Sequence, residues 1–288
     1  MLAFCGTLGA WNERPDRTRA YFDGPVPGLE VTFAAVWRAF TGAECPCGLS
    51  RRPVEPADWV AAWRVAVRPV AVTPSLWIAP PAAPPDAVLG VDDRVIWIEP
   101  GEGFGTGTHP TTQALLRWLA AGPAAGIPLG GAVLDLGTGS GVLALTALAC
   151  GARRATGLDL DAAALGNAAQ NRALNRRERD CALVRGSIDA IAPGARFDVV
   201  LANLDGRTLP PLLSRLAAHC AVEGRVGVAG LLLSERGGVL AGARTAGLRL
   251  LEETASADPF PLPDPPDGAA APEDVWWSGW FAPASSGV

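Results

Sequence analysis

The sequence predicts an α/β fold built on a doubly wound, mostly parallel sheet of seven strands, preceded by a small α+β domain. Three observations lead there. From about Ala132 onward, short apolar runs alternate with helical stretches, the mark of strand-helix units whose sheet is covered on both faces. Between the first such run and its helix stands a turn rich in glycine, Leu134–Gly141. The chain has 288 residues, 49% of them hydrophobic and 18% charged, which is enough apolar material for one large or two ordinary domains and too much for a disordered chain.

Taken in order, residues 1–55 form the small domain. They offer an apolar helix near Leu2–Trp11, a strand at Thr18–Phe22 and a helix over Thr32–Phe40. Residues 56–98 are expected as a connector, with the Trp-containing amphipathic stretch ADWVAAWRVAVRP, a strand in SLWIAP, the Pro/Ala run Pro80–Pro85 and a second strand in RVIWIEP. Residues 99–288 hold the large sheet. Its strands are expected at Ala132–Leu136, Ala155–Leu158, Ala182–Val184, Phe197–Ala202, Arg225–Ala229, Leu248–Glu253 and Val275–Phe281. The last two are joined by the Pro-rich stretch Asp258–Pro272 in place of a helix, so the reading there is a hairpin with an antiparallel edge strand.

Charge and cysteine usage narrow the function. The formal charge is −5, and all 24 basic residues are arginines, so there is no global basic field for a nucleic-acid backbone, and no direct nucleic-acid binding is expected. The six cysteines are scattered. Only Cys45 and Cys47 lie close, without paired CxxC knuckles, which leads to the expectation of reduced thiols, no metal site and a cytoplasmic location. No apolar run of about 18 residues is present, so no membrane partner is expected.

The chemistry concentrates in four places. In LDLGTGSG, Gly137, Gly139 and Gly141 strip side chains from a strand-to-helix turn, so a ligand can approach the backbone and the free N–H groups of the helix start. The GxGxG spacing is one residue tighter than the GxGxxG that reaches a dinucleotide pyrophosphate, and the acidic Asp135 precedes the first glycine. This favours S-adenosylmethionine over a nicotinamide cofactor. The second strand ends in Asp159, 22 residues after Gly137, where a carboxylate meets ribose hydroxyls in this architecture. Asp161 reads as the cap of the following helix. The fourth strand ends in Asn203, whose amide offers donors and an acceptor for a methionine moiety or an incoming amine, or alternatively for a helix cap. Finally, the loop Glu99–Thr112, EPGEGFGTGTHPTT, is placed to cover the pocket, with Phe104 as apolar cover and Thr108 or Thr112 supplying hydroxyls. His109 in that loop is open to a structural or a catalytic role. The adjacent His219 and Cys220 lack an orienting third group and are set aside, and Trp276, Trp277 and Trp280 read as packing residues.

With these residues in view, the sequence resembles the PrmA family of ribosomal protein L11 methyltransferases, which are class I S-adenosylmethionine-dependent enzymes. The resemblance lies in DWVAAWRVAVRPVAV with SLWIAP, in EPGEGFGTGTHPTT, in VLDLGTGSGVLAL with GLDLD, and in FDVVLANL. It implies a seven-stranded Rossmann-like catalytic domain, an N-terminal substrate-recognition domain, and methyl transfer to amines of a ribosomal protein. By matching motif positions, it also implies cofactor contacts at Thr112, Gly137, Asp159 and Asn203. Residues 1–55, the acidic Glu102 and the C-terminal Pro-rich stretch depart from the family pattern.

Overall fold

The computed structural model describes residues 9–14, 17–21, 26–44, 48, 68–86, 90–101, 103–257 and 275–284. The chain divides into two compact units, Met1–Glu55 with Phe260–Glu273, and Pro56–Pro259 with Asp274–Val288. In the smaller unit, β1 (Gly9–Arg14) and β2 (Arg17–Tyr21) pair as an antiparallel ribbon with Trp11 opposite Arg19. The helix expected near Leu2–Trp11 is therefore corrected from Gly9 onward, its first seven residues lying outside the described residues. Pro15-Asp16, a turn-forming dipeptide, separates two arms that pair with each other, and this tertiary partner decides the conformation of a short apolar run. Helix α1 (Leu29–Thr41) starts three residues before its expected position and closes on Gly42, whose N–H donates to the Arg38 carbonyl at 2.9 Å.

In the larger unit, β3 (Val70–Thr73), β4 (Leu76–Ala79) and β5 (Arg94–Trp97) make a small sheet in which β3 and β4 are antiparallel and β4 and β5 parallel. The two strands expected here are β4 and β5; the amphipathic stretch before them lies almost wholly outside the described residues. Val72, Leu76, Ile78, Ile96 and Ile98 are buried in one core with Leu115, Leu116 and Leu119 of helix α2 (Pro110–Ala121). The segment read as a connector thus packs as a layer of this unit.

The main sheet runs β11-β12-β10-β9-β6-β7-β8, with β6 Ala132–Leu136, β7 Arg154–Asp159, β8 Cys181–Arg185, β9 Phe197–Asn203, β10 Cys220–Leu232, β11 Leu248–Ala257 and β12 Val275–Pro283. All seven expected strands are present. Alternate residues serve opposite faces: Val133, Val199 and Leu201 join the core beneath α2 and α3 (Val142–Ala149), while Leu134, Val200 and Ala202 join the core beneath α5 (Leu213–His219) and α6 (Arg236–Thr245). Helix α4 (Ala162–Leu174) follows β7. Burial on both faces is what a parallel sheet requires, and it explains the near-continuous apolar runs.

The expected hairpin with an antiparallel edge strand is present, and the sheet order shows which of its strands is the edge. β12 is antiparallel to both its neighbours but lies inside the sheet, between β10 and β11, and β11 forms the edge. Composition explains the order. β12 carries Trp277, Trp280 and Phe281, each nearly without exposure, whereas β11 carries Arg249, Glu252 and Glu253 and tolerates water. Trp280 lies against Trp118 with ring centroids 5.1 Å apart, and a Cβ on Gly227 of β10 would fall 2.5 Å from its ring. Gly227→Ala is expected to lower the unfolding free energy by about 1–3 kcal/mol through overpacking, read as a shift in the urea midpoint. An unchanged midpoint would mean that this pair of tryptophans yields easily.

Candidate active site

The carboxyl edge of β6, β7 and β9 gathers the expected residues. Gly137, Gly139 and Gly141 all have positive φ, at 71°, 53° and 83°. At Gly139 a side chain is also excluded by contact, since a Cβ there would lie 2.4 Å from the Phe104 carbonyl oxygen, whereas a Cβ on Gly137 would meet only the movable end of the Leu204 side chain at 2.6 Å. The Gly139 N–H donates to Asp159 Oδ2 at 2.9 Å, and the Asp161 N–H donates to Oδ1 at 3.0 Å. The carboxylate at the tip of β7 is thereby fixed against the turn. Asp161 caps α4, accepting from the Ala163 N–H at 2.9 Å, as its position in the sequence indicates.

The loop at Glu99–His109 lies on this turn. The Ser140 N–H donates to the Phe104 carbonyl at 2.9 Å, and the Ser140 hydroxyl to the Gly105 carbonyl at 2.6 Å. Gln113 of α2 donates to the Gly107 carbonyl. The Phe104 ring itself is 60% exposed. Two asparagines of α4 and the one at its C-cap hold the root of the loop, and sequence reasoning missed all of them. Asn167 donates to the Glu99 carbonyl, Asn171 accepts from the Glu99 N–H and donates to the Ser140 carbonyl, and Asn175 bonds both backbone groups of Trp97. Their spacing of four residues on one helix was the available signal.

Thr112 is fully buried in the first turn of α2 and accepts from Asn203 Nδ2 at 3.2 Å, so residues 91 apart in sequence meet at the end of β9. Asn203 does not cap a helix by this bond. Asp205 instead closes the local turn, accepting from the N–H groups of Arg207 and Thr208. Thr108 is exposed and bonds Thr106 at 3.1 Å, apart from the Thr112–Asn203 pair. His109 is the N-cap of α2. Its Nδ1 accepts from the Thr111 N–H and lies 2.7 Å from the Thr111 hydroxyl, and its ring stands edge-on to Phe104 at 5.6 Å and to Trp276 at 4.7 Å. His219 bonds the Ala195 carbonyl at 3.0 Å, and burial pushes the neighbouring Cys220 thiol up to about 11, which makes it a poor nucleophile.

Asp135 has no exposure at all. Its Oδ2 accepts from the Thr138 hydroxyl at 2.7 Å and from the Ala144 N–H near the start of α3 at 3.2 Å, while Oδ1 is buried without a partner. Burial raises its pKa to about 6, against the opposing pull of those two hydrogen bonds. A carboxyl group with a folded-state pKa above its unfolded value of about 3.9 favours folding most when protonated. Its contribution therefore falls as pH rises from about 4 to about 6 and then levels off, a span of roughly 3 kcal/mol. Asp135→Asn removes that titration. The stability of Asp135→Asn relative to the parent is expected to increase over that interval in urea titrations at stepped pH, and a flat difference would refute the raised pKa.

Comparison with known proteins agrees with this geometry. The chain matches the family described as ribosomal protein L11 methyltransferase (PrmA) over residues 26–258. The ribosomal protein L11 methyltransferase of Stenotrophomonas maltophilia strain K279a is 38% identical over 192 residues, 66% of this chain and 62% of that protein, so the match spans less than two thirds of the relative's length. The protein of that name from Geobacter sulfurreducens is 38% identical over 239 residues, 81% of this chain and 76% of that protein. Among solved structures, a ribosomal protein L11 methylase from Lactobacillus delbrueckii subsp. bulgaricus has a TM-score of 0.61 at 24% identity, covering 76% of this chain and 100% of that one, and shows the same fold. With its glycine turn, its roofing loop and the main-sheet strands β6 to β11 all lying within the matched span, the chain belongs to the ribosomal protein L11 methyltransferase (PrmA) family.

Proposed function

We propose that this chain is an S-adenosylmethionine-dependent methyltransferase acting on amines of ribosomal protein L11, lysine side chains or the N-terminal amine. The observation that carries the reading is the bare glycine turn with Asp159 fixed beside it and the Asn203–Thr112 pair at the neighbouring strand end. The residues suit the cofactor. Each oxygen of Asp159 accepts from one backbone N–H and keeps acceptor capacity for one of two vicinal ribose hydroxyls. The glycines of the turn put no side chains of their own between its backbone and a close-lying ligand.

When bound, S-adenosylmethionine supplies a methyl group already activated as an electrophile, so the protein's task is to align the acceptor and keep water out. Asn203 has one Nδ2 hydrogen engaged by Thr112, leaving a second donor and the Oδ1 acceptor to orient a neutral amine. A lysine amine must first lose a proton, at a cost of about 4–5 kcal/mol near neutral pH. His109 takes a structural part in this reading: its Nδ1 accepts from the Thr111 N–H and the ring caps α2. Phe104 supplies the apolar cover. The unit formed around residues 1–55 recognises the protein substrate, and the site of action is the cytoplasm. Among the described residues no helix is long and apolar enough to cross a membrane.

Incubation with labelled S-adenosylmethionine and purified ribosomal proteins, followed by mass spectrometry, tests the reading. Label is expected on L11. Cofactor binding without transfer would instead indicate a silent binding module, and label on another ribosomal protein a different substrate. Asp159→Ala is expected to raise the cofactor Kd by about tenfold or more, from the loss of acceptors for two hydroxyls, with the fold retained. Asn203→Ala is expected to lower kcat by about a hundredfold, a loss of alignment in place of affinity. Unchanged affinity in the first or unchanged kcat in the second would remove that residue from the site.

A further inference from the structure

Among the described residues, the outer edge of β5 and its extension meets no strand. On its inner edge, the strand continues its pairing with β4, the Ile98 N–H donating to the Ala79 carbonyl at 2.9 Å. The alternate residues Trp97 and Glu99 turn their backbone groups the other way, as alternation along a strand dictates. All four of those groups are met by the carboxamides of α4 and its C-cap. Asn175 takes the Trp97 N–H at 3.0 Å and gives to its carbonyl at 2.7 Å; Asn171 takes the Glu99 N–H at 2.8 Å; Asn167 gives to the Glu99 carbonyl at 3.0 Å. A carboxamide carries the same donor and acceptor as a peptide group, so three asparagines, each about one helical turn from the next, replace the missing strand.

Asn171 does something its neighbours do not. Its Nδ2 reaches the Ser140 carbonyl at 2.9 Å, and Ser140 is the residue of the glycine turn whose N–H holds the Phe104 carbonyl. One fully buried amide therefore joins the root of the roofing loop to the turn that the loop covers. Asn175 bonds Trp97 and the helix's own Asn171 carbonyl, away from that turn. We propose that Asn171 is a positioning residue for the cofactor, setting through Glu99 and Ser140 the separation of loop and turn at which the cofactor is held. This deepens the functional reading above and rests on it for the identity of the cofactor.

The test compares Asn171→Ala with Asn175→Ala, which removes a similar set of backbone bonds about one turn farther along the helix. Two quantities are measured on the full chain: the affinity for S-adenosylmethionine by calorimetry, and hydrogen exchange of the Ser140 amide without ligand, with the amides of β9 as the reference for global opening. Asn171→Ala is expected to weaken cofactor affinity and speed Ser140 exchange by about tenfold or more, while Asn175→Ala changes both by less than about threefold. Acceptor KM is expected to stay near the parent value in both. Should Asn171→Ala fail to fold, Asn171→Asp keeps the acceptor for the Glu99 N–H, loses the donor to Ser140, and is expected to show the same loss of affinity. Equal effects of the two alanine variants, or an unchanged Ser140 exchange rate in the Asn171 variants, would overturn the proposal. A parent chain that takes up no S-adenosylmethionine would sink the functional reading separately, leaving the exchange contrast to decide the clamp.

Discussion

Two stretches of bare backbone lie against each other where Gly103 faces Gly139, and the rest of the site is arranged around that contact. A Cβ on Gly103 would fall 2.7 Å from the Gly139 carbonyl carbon, and one on Gly139 would fall 2.4 Å from the Phe104 carbonyl oxygen. Sterics thus excludes a side chain from either strand of the contact. The Ser140 N–H, given to Phe104, is one of the free donors of the turn leading into α3, and it is satisfied by the loop. Loop and turn consequently behave as one object. Asp159, which bonds the Gly139 N–H, is held by the same object and sits at the rim.

Two carboxylates border this turn and differ because their surroundings differ. Asp135 lies beneath it, cut off from water, and its oxygen braces both Thr138 and the start of α3, where the helix dipole favours negative charge. Asp159 is only partly buried and keeps acceptor capacity toward the outside. The repulsion between them is the smallest of the influences on Asp135; desolvation is the largest. One carboxylate is therefore a brace, retained despite the cost of burial, and the other is left with open acceptor sites for the ligand proposed above.

Much of this was legible in the sequence, for identifiable reasons. The strands of the main sheet announce themselves because both faces are buried, so β6, β9 and β10 read as apolar runs closed by glycine, asparagine or charge. The meeting of Gly139 and Asp159 was legible because a glycine turn and the carboxylate at the next strand's tip follow each other within one strand-helix-strand unit. What escaped depended on partners distant in sequence. The residues near Trp11 are too few and too apolar to reveal a period, and pairing with Arg19 settles them as strand. The position of β12 inside the sheet follows from how many tryptophans need cover, which only the assembled sheet can answer. The three asparagines of α4 and its C-cap look like a solvated polar face until β5, some 70 residues earlier, is laid beside them.

The way the loop is secured also limits how a ligand can enter. Its root is bonded to α4, its middle to Ser140 through two bonds, and its end to Gln113. Lifting the backbone as a whole would leave all of those polar groups unpaired at once, each costing about 1–3 kcal/mol where water cannot replace the partner. Rotating the Phe104 ring breaks none of them. That ring is largely exposed and touches His109 only through an edge contact, so it moves at the cost of a side-chain torsion. Burial of the ring over an apolar ligand would return about 25 cal/mol for each Å² withdrawn from water. The backbone thus fixes the loop against the turn, and in the proposed reading it is the Phe104 side chain that moves to cover a bound ligand.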